Sequence, residues 1–169
     1  MKVFFAANVW GKHYIDIFCN MTLPMHFSPS NIPKIAKDSK RNKYLIITDK
    51  KDLDYFIKKP IIIFLKKKYN IVFYTININR RTNKYNLISS LQSLSINLAR
   101  KEDFDYFFPF YADVLCSDGT LYNSFEKMKN GKKAVVSLGP QTILENMIKK
   151  IKSKEFCYDK YSIKINSQK

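Results

Sequence analysis

The chain has 169 residues, 46% hydrophobic and 15% aromatic, which is enough for one compact core and leaves no room for a second domain. Its longest apolar runs, around residues 61–65 and 104–110, fall far short of the roughly 20 residues a membrane-spanning helix needs. The formal net charge of +16 taken alone points to a polyanion, but the charge is mostly lysine, occurs on every predicted element, and accompanies Ile, Asn, Tyr and Phe, the residues that adenine- and thymine-rich codons specify. It reads as a solvated coat, and nucleic acid is a disfavoured partner.

Residues 3–9 form an apolar, partly β-branched run ended by Trp10-Gly11, the pattern of a first buried strand. The same run is too short for the apolar region of a signal peptide. From His13, the residues Tyr14, Ile17, Phe18 and Met21 recur at three- and four-residue steps, which predicts a helix that Pro24 ends or bends. Ser30 or Asn31 then caps a short helix with Pro33 in its first turn. Residues 43–48 read as a second strand followed by a helix through Leu53 and Phe56. Residues 61–65 are buried but of uncertain type, and residues 70–76 are a third strand. The spacing of Leu87, Leu91, Leu94 and Leu98 predicts a long helix, which leads to a fourth strand over residues 105–115 that Pro109 interrupts. A helix through Leu121, Phe125 and Met128, a fifth strand over residues 133–138 and a helix over 142–151 complete the pattern.

Strands alternating with helices imply an α/β fold with a mostly parallel sheet and helices on both faces, because parallel neighbours need crossover connections. The predicted organisation is a single domain over residues 1–152 with a frayed or truncated tail over 153–169. Three widely spaced cysteines, Cys19, Cys116 and Cys157, make neither a disulfide frame nor a zinc site, and reduced thiols in a cytoplasm are the expectation.

Ligands of open parallel sheets bind beyond the carboxyl ends of the strands. That rule selects residues 9–11, 48–49, 75–77 and 111–113 as converging loops. With four glycines and no G-x-G-x-x-G, Walker A, G-x-S-x-G or H-E-x-x-H signature, the common phosphate loops and nucleophile motifs are absent. His13 and His26 have no Cys or Ser partner in the pattern and read as structural or surface residues. Asp113, at the end of strand four, is placed to meet a divalent cation; its alternative role is to cap the strand. Asp118-Gly119 reads as a turn whose carboxylate caps the following helix.

The pieces Val9-Trp10-Gly11-Lys12-His13-Tyr14-Ile15, Leu23-Pro24 with Asn31-Ile32-Pro33, Tyr44-Leu45-Ile46-Ile47-Thr48, and Ala112-Asp113-Val114 with Ser117-Asp118-Gly119-Thr120-Leu121, followed by Gly131-Lys132-Lys133-Ala134-Val135, occur in an order that resembles a family of bacterial glycosyltransferase-like proteins. These have a GT-A type nucleotide-diphosphosugar transferase fold. The resemblance implies a nucleotide-sugar ligand and transfer of the sugar to an acceptor. It also implies a manganese or magnesium ion held by an Asp-x-Asp motif at Tyr111-Ala112-Asp113, where Tyr111 replaces the first carboxylate and Asp113 alone is carried over. By position in such folds, Asn8, Trp10 and Gly11 after strand one and Thr48 and Asp49 after strand two hold the nucleotide, with Trp10 either stacking on the base or joining the core. GT-A enzymes continue into an acceptor half, so the resemblance implies a partial domain here. The competing expectation is a non-catalytic basic α/β module that binds a polyanion or a partner protein.

Overall fold

The computed structural model describes residues 1–36, 41–79 and 82–136, and the backbone of 157–159 and 162–163. In chain order its elements are β1 (Val3–Asn8), α1 (Lys12–Ile17), a π-helical turn (Phe18–Thr22), α2 (Leu23–His26), α3 (Ile32–Ile35), β2 (Lys43–Asp49), α4 (Leu53–Ile57), α5 (Pro60–Lys66), β3 (Ile71–Ile76), α6 (Lys84–Lys101), β4 (Tyr106–Tyr111), α7 (Thr120–Lys129), β5 (Cys157–Asp159) and β6 (Ser162–Ile163). They fall into two compact units, one of Met1–Cys19 with Asp38–Val114 and one of Asn20–Lys37 with Leu115–Lys169.

The first unit is an α/β layer structure of the Rossmann-like kind. Its four strands are all parallel, in the order β3-β2-β1-β4. The chain lays β2 and β3 on one side of β1, then returns through α6 to place β4 on the other side. Register pairs Phe4, Ala6 and Asn8 with Lys43, Leu45 and Ile47 on one sheet face. On that face Phe4, Ala6, Leu45 and Ile47 pack with Leu91 and Ala99 of α6 into the main apolar cluster. On the other face Phe5, Tyr44, Phe108 and Phe110 stack across three strands with ring centroids 5.4–6.2 Å apart. Further along it, Phe56 of α4 meets Phe73 edge-on at 5.2 Å. Such aromatic pairs add about 0.5–1.5 kcal/mol each beyond their buried area.

Proline placement explains three local features. Pro109 sits inside β4, a strand with no second neighbour among the described residues. The Tyr106 N–H donates to the Lys2 carbonyl at 3.2 Å, so alternation points positions 108 and 110 at β1 and position 109 outward, where no N–H is needed. Pro60 opens α5 from an extended Lys59, which makes residues 60–66 a helix with Ile61, Ile62 and Leu65 buried along one side. Pro24 lies in the first turn of α2, after the wider π turn, where its missing N–H costs nothing.

In the second unit Asn31 is the hub. Its buried amide donates to the Met25 and Ser117 carbonyls at 2.9 and 3.1 Å, and its Oδ1 accepts the Leu121 N–H at 3.0 Å, capping α7. The Asp118 carboxylate, expected to cap that helix, instead accepts from the Ser28 hydroxyl and the Ser30 N–H at 2.8 and 2.9 Å. Glycine at the N-cap of α7 has φ 85°, a conformation that turns the neighbouring carboxylate away from the helix start. Cys157–Asp159 and Ser162–Ile163 pair as a short antiparallel ladder. The described part of the fifth predicted strand, Lys133 to Val136, is irregular and leaves Val136 83% exposed; residues 137–138 and the helix predicted over 142–151 lie outside the described residues.

Candidate functional site at the carboxyl edge of the sheet

Because the four strands are parallel and in close register, their carboxyl ends lie along one edge: Asn8 stands opposite Ile47 and Tyr111, and Thr48 opposite Thr75. β2 and β3 lie on one side of β1 and β4 on the other, and ligands of such open sheets bind outside the carboxyl ends of the strands where the order switches. All six predicted residues, Asn8, Trp10, Gly11, Thr48, Asp49 and Asp113, belong to this unit, but they play different parts.

Asn8 and Thr48 carry the main chemical signal. Thr48 is 0% exposed, and its Oγ1 and the buried Oδ1 of Asn8 have no hydrogen-bond partner. Leaving a buried polar atom unpaired costs about 1–3 kcal/mol, and such atoms are uncommon enough in native folds to need a cause. Asn8 ends β1 on the α6 side, whereas Thr48 alternates to the opposite face of β2, so the pair brackets the sheet edge from both sides.

Asp49 is buried beside them. Its carboxylate meets the Lys51 ammonium at 2.7 Å and accepts from the Lys51 N–H at 3.4 Å. Burial pushes its pKa up, but the Lys51 hydrogen bonds and charge, with the Ile78 N–H, outweigh that and hold it below the ordinary 3.8. Asp49, Lys50, Lys51, Asn77 and Ile78 line a cleft of about 420 Å³. Its size falls within the range of small-ligand sites.

Gly11 adopts φ 79°, ψ 133° with open space around it, so its backbone conformation, rather than crowding, requires glycine. Its N–H donates to the Asp52 carboxylate at 2.7 Å. That internal carboxylate meets the chain at the start of α1 and ties the β1 loop to the β2 loop. Trp10 is partly buried against the apolar cluster beneath α6, so of its two expected roles the structure shows the core one.

Asp113 is exposed two residues past β4. The Tyr111 hydroxyl before it accepts from Gln92 Nε2 at 2.6 Å. No group of three or more His, Cys, Asp or Glu able to hold a metal forms among the described residues.

Compared with protein-family models, curated proteins and solved structures, the chain matches none.

His26 is buried and held neutral, its pKa pushed down to about 3 by desolvation, while His13 is exposed on α1. Burial likewise pushes the Cys19 and Cys116 thiols up to about 12, which makes them poor nucleophiles. Asn77 falls in the 75–77 loop selected from the sequence, whereas Lys51, Asp52 and Ile78 were not selected. The only available signal was the Asp49-Lys50-Lys51-Asp52 spacing, in which two carboxylates flank a turn and can serve either as caps or as ligands.

Proposed function

We propose that the first unit binds the nucleotide part of a nucleotide-sugar at the carboxyl edge of its sheet. The observation that carries this reading is the pair of buried, unpartnered oxygens, Asn8 Oδ1 and Thr48 Oγ1, on adjacent strand ends beside the Asp49 cleft. A nucleotide offers what those atoms lack: ribose hydroxyls that donate and accept, and exocyclic amines that donate. Asn8 Oδ1 can accept only, which suits an amine or hydroxyl donor. The Asp49 carboxylate, oriented by Lys51, retains lone pairs for a ribose hydroxyl, and the Lys50 and Lys51 ammonium groups provide positive charge for a diphosphate. The sugar donor class and its transfer to an acceptor rest on the sequence resemblance. In that reading this unit is the donor-binding part, and Asp113 meets the diphosphate side.

Thermal melting with nucleoside diphosphates and their sugars, with and without manganese, tests the proposal. Stabilisation by a nucleotide that Asp49→Ala abolishes supports it, and a further manganese-dependent gain lost in Asp113→Ala supports the diphosphate role. No shift with any nucleotide, or a shift indifferent to Asp49→Ala, counts against it.

A further inference from the structure

The two outer strands of the first unit's sheet are built differently at their open edges. The Tyr44 N–H donates to the Asn70 carbonyl at 2.9 Å, and Tyr44 stands opposite Ile71, so Asn70, Val72, Tyr74 and Ile76 turn their backbone groups to β2. Those of Ile71, Phe73 and Thr75 point away from the sheet. The Ile71 N–H closes locally on the Tyr69 carbonyl at 2.9 Å, whereas the N–H groups of Phe73 and Thr75 take no partner among the described residues. At the opposite edge Pro109 of β4 stands in an outward position and removes a donor.

β3 carries none of the devices that keep an edge strand single. Ile71-Val72-Phe73-Tyr74-Thr75-Ile76 holds no proline and no charge, and its register with β2 runs unbroken. Its side chains stay open on both faces: Val72 and Tyr74, on the α6 side with Leu45 and Ile47, are 36% and 41% exposed, and Thr75 on the other side is exposed. The strand is also complementary to itself. Turned antiparallel about a two-fold axis at Phe73, two copies set Phe73 opposite Phe73, Ile71 opposite Thr75 and Val72 opposite Tyr74. The outward residues then fall at hydrogen-bonded positions: each Phe73 N–H meets the other copy's Phe73 carbonyl, and each Thr75 N–H meets the facing Ile71 carbonyl. The exposed Val72 and Tyr74 meet twice, as β-branched–aromatic pairs of the kind that stabilises sheets.

We propose that β3 is the interface of a homodimer in which two four-stranded sheets join edge to edge. The occupant is a second copy of this chain because one register pairs both open N–H groups and both exposed apolar side chains with their own symmetry mates. Area and charge set its strength. A ladder of this length with two side-chain pairs falls short of the roughly 1,200 Å² of a standard interface, and the net charge of +16 opposes association, so the dimer is weak and reversible. Lys66 lies over the Phe73 ring at 5.7 Å, which brings the two Lys66 ammonium groups to one side of the axis, where they repel. With β4 guarded by Pro109, each sheet adds one copy and the assembly closes at two. Dimerisation does not rest on nucleotide binding at the strand ends.

Sedimentation equilibrium of the full chain across the micromolar to submillimolar range, at low and at high salt, provides the test. The average mass should rise from one chain to two and no further, and the dimer should tighten as salt rises. Val72→Lys and, separately, Thr75→Pro should each weaken it about tenfold, the first by placing a charge in both Val72–Tyr74 pairs and the second by removing two hydrogen bonds. Ile96→Lys, at an equally exposed residue of α6, should leave it nearly unaltered, and Lys66→Gln should tighten it about threefold. Val72→Cys combined with Tyr74→Cys should give a disulfide-linked dimer on mild oxidation, because facing residues of that type stand about 4.5 Å apart. Coincident melting curves at low concentration will show that the variants remain folded, and Val72→Lys carries the test if Thr75→Pro does not fold. The proposal is overturned by a chain that stays monomeric throughout, which would leave the edge to a strand of another protein. It is equally overturned by masses beyond two chains, by a dimer that weakens with salt or lacks the double-cysteine link, or by equal losses from Val72→Lys and Ile96→Lys.

Discussion

His26 gives the sharpest test of the packing in the second unit. It is wholly buried, and desolvation lowers its pKa from 6.5 to about 3. The folded chain therefore keeps it neutral through the range where the unfolded chain protonates it. A histidine depressed in this way contributes stability that is fully present above 6.5 and is lost as pH falls below that value, levelling off near the folded-state pKa. At about pH 5 the unfolded-state proton uptake is about 1.5 pH units advanced, a loss of about 2 kcal/mol relative to about pH 7.5. Asp16 and Asp49 are held below 3.8, so their contributions fail at lower pH and do not enter this interval. In urea titrations followed by far-UV circular dichroism, 2 kcal/mol at an m-value of about 2 kcal/mol/M moves the midpoint by about 1 M. His26→Gln, which removes the titrating group, should flatten the dependence whatever its baseline stability. Equal midpoints at the two pH values, or an undiminished slope in the variant, would refute the reasoning.

Three further outcomes follow from hydrogen bonds of the two units. Asp52→Ala, which strips the charged acceptor from the Gly11 N–H, should cost about 2 kcal/mol in urea unfolding, and Asp52→Asn should recover part of it; a loss under about 0.5 kcal/mol contradicts the tie between the two loops. Asn31→Ala removes the donor to two carbonyls and the cap of α7 at once and should cost about 3–4 kcal/mol, so a loss below about 1 kcal/mol would rule out its role as hub. Thr48→Val replaces an unpartnered buried hydroxyl by a methyl group of like shape. It should leave stability unchanged or raise it by up to about 1 kcal/mol, yet weaken nucleotide binding about tenfold. A destabilised variant would mean that the hydroxyl has a partner in the folded chain.

The order of strands and helices was legible wherever hydrophobic period and punctuation agreed. Residues 3–9, 43–48 and 70–76 stand within a residue or so of β1, β2 and β3, and the Leu87–Leu98 spacing lies within α6. Residues 61–65 were ambiguous because a short apolar run fits either a buried strand or a helix, and only the Pro60 start and the burial of Ile61, Ile62 and Leu65 decide for the helix. The run of residues 133–136 misled for the converse reason: Val135 and Val136 have strand propensity, but Val136 remains exposed and no ladder forms over residues 133–136. At the carboxyl edge, Thr48 and Asp49 stand at the end of β2, where the rule of strand ends put them. It could not show that Asp52 takes the Gly11 N–H, that Trp10 is held under α6, or that Asn31 rather than Asp118 caps α7, because each depends on contacts between residues distant in sequence or on the direction a turn imposes on a side chain.

The unpartnered oxygens at the ends of β1 and β2, with Asp49, are proposed to receive a nucleotide. The most direct measurement is a ligand-dependent melting temperature over a series of nucleoside diphosphates and their sugars, for the native chain and for Thr48→Val and Asp49→Ala. A ligand at about 100 times its dissociation constant should stabilise the fold by about 2.7 kcal/mol, which in a chain of this size raises the melting temperature by roughly 5–10 °C. The account predicts that shift for one nucleotide class and its reduction in both variants. A flat series, or a shift that both variants retain in full, would contradict it.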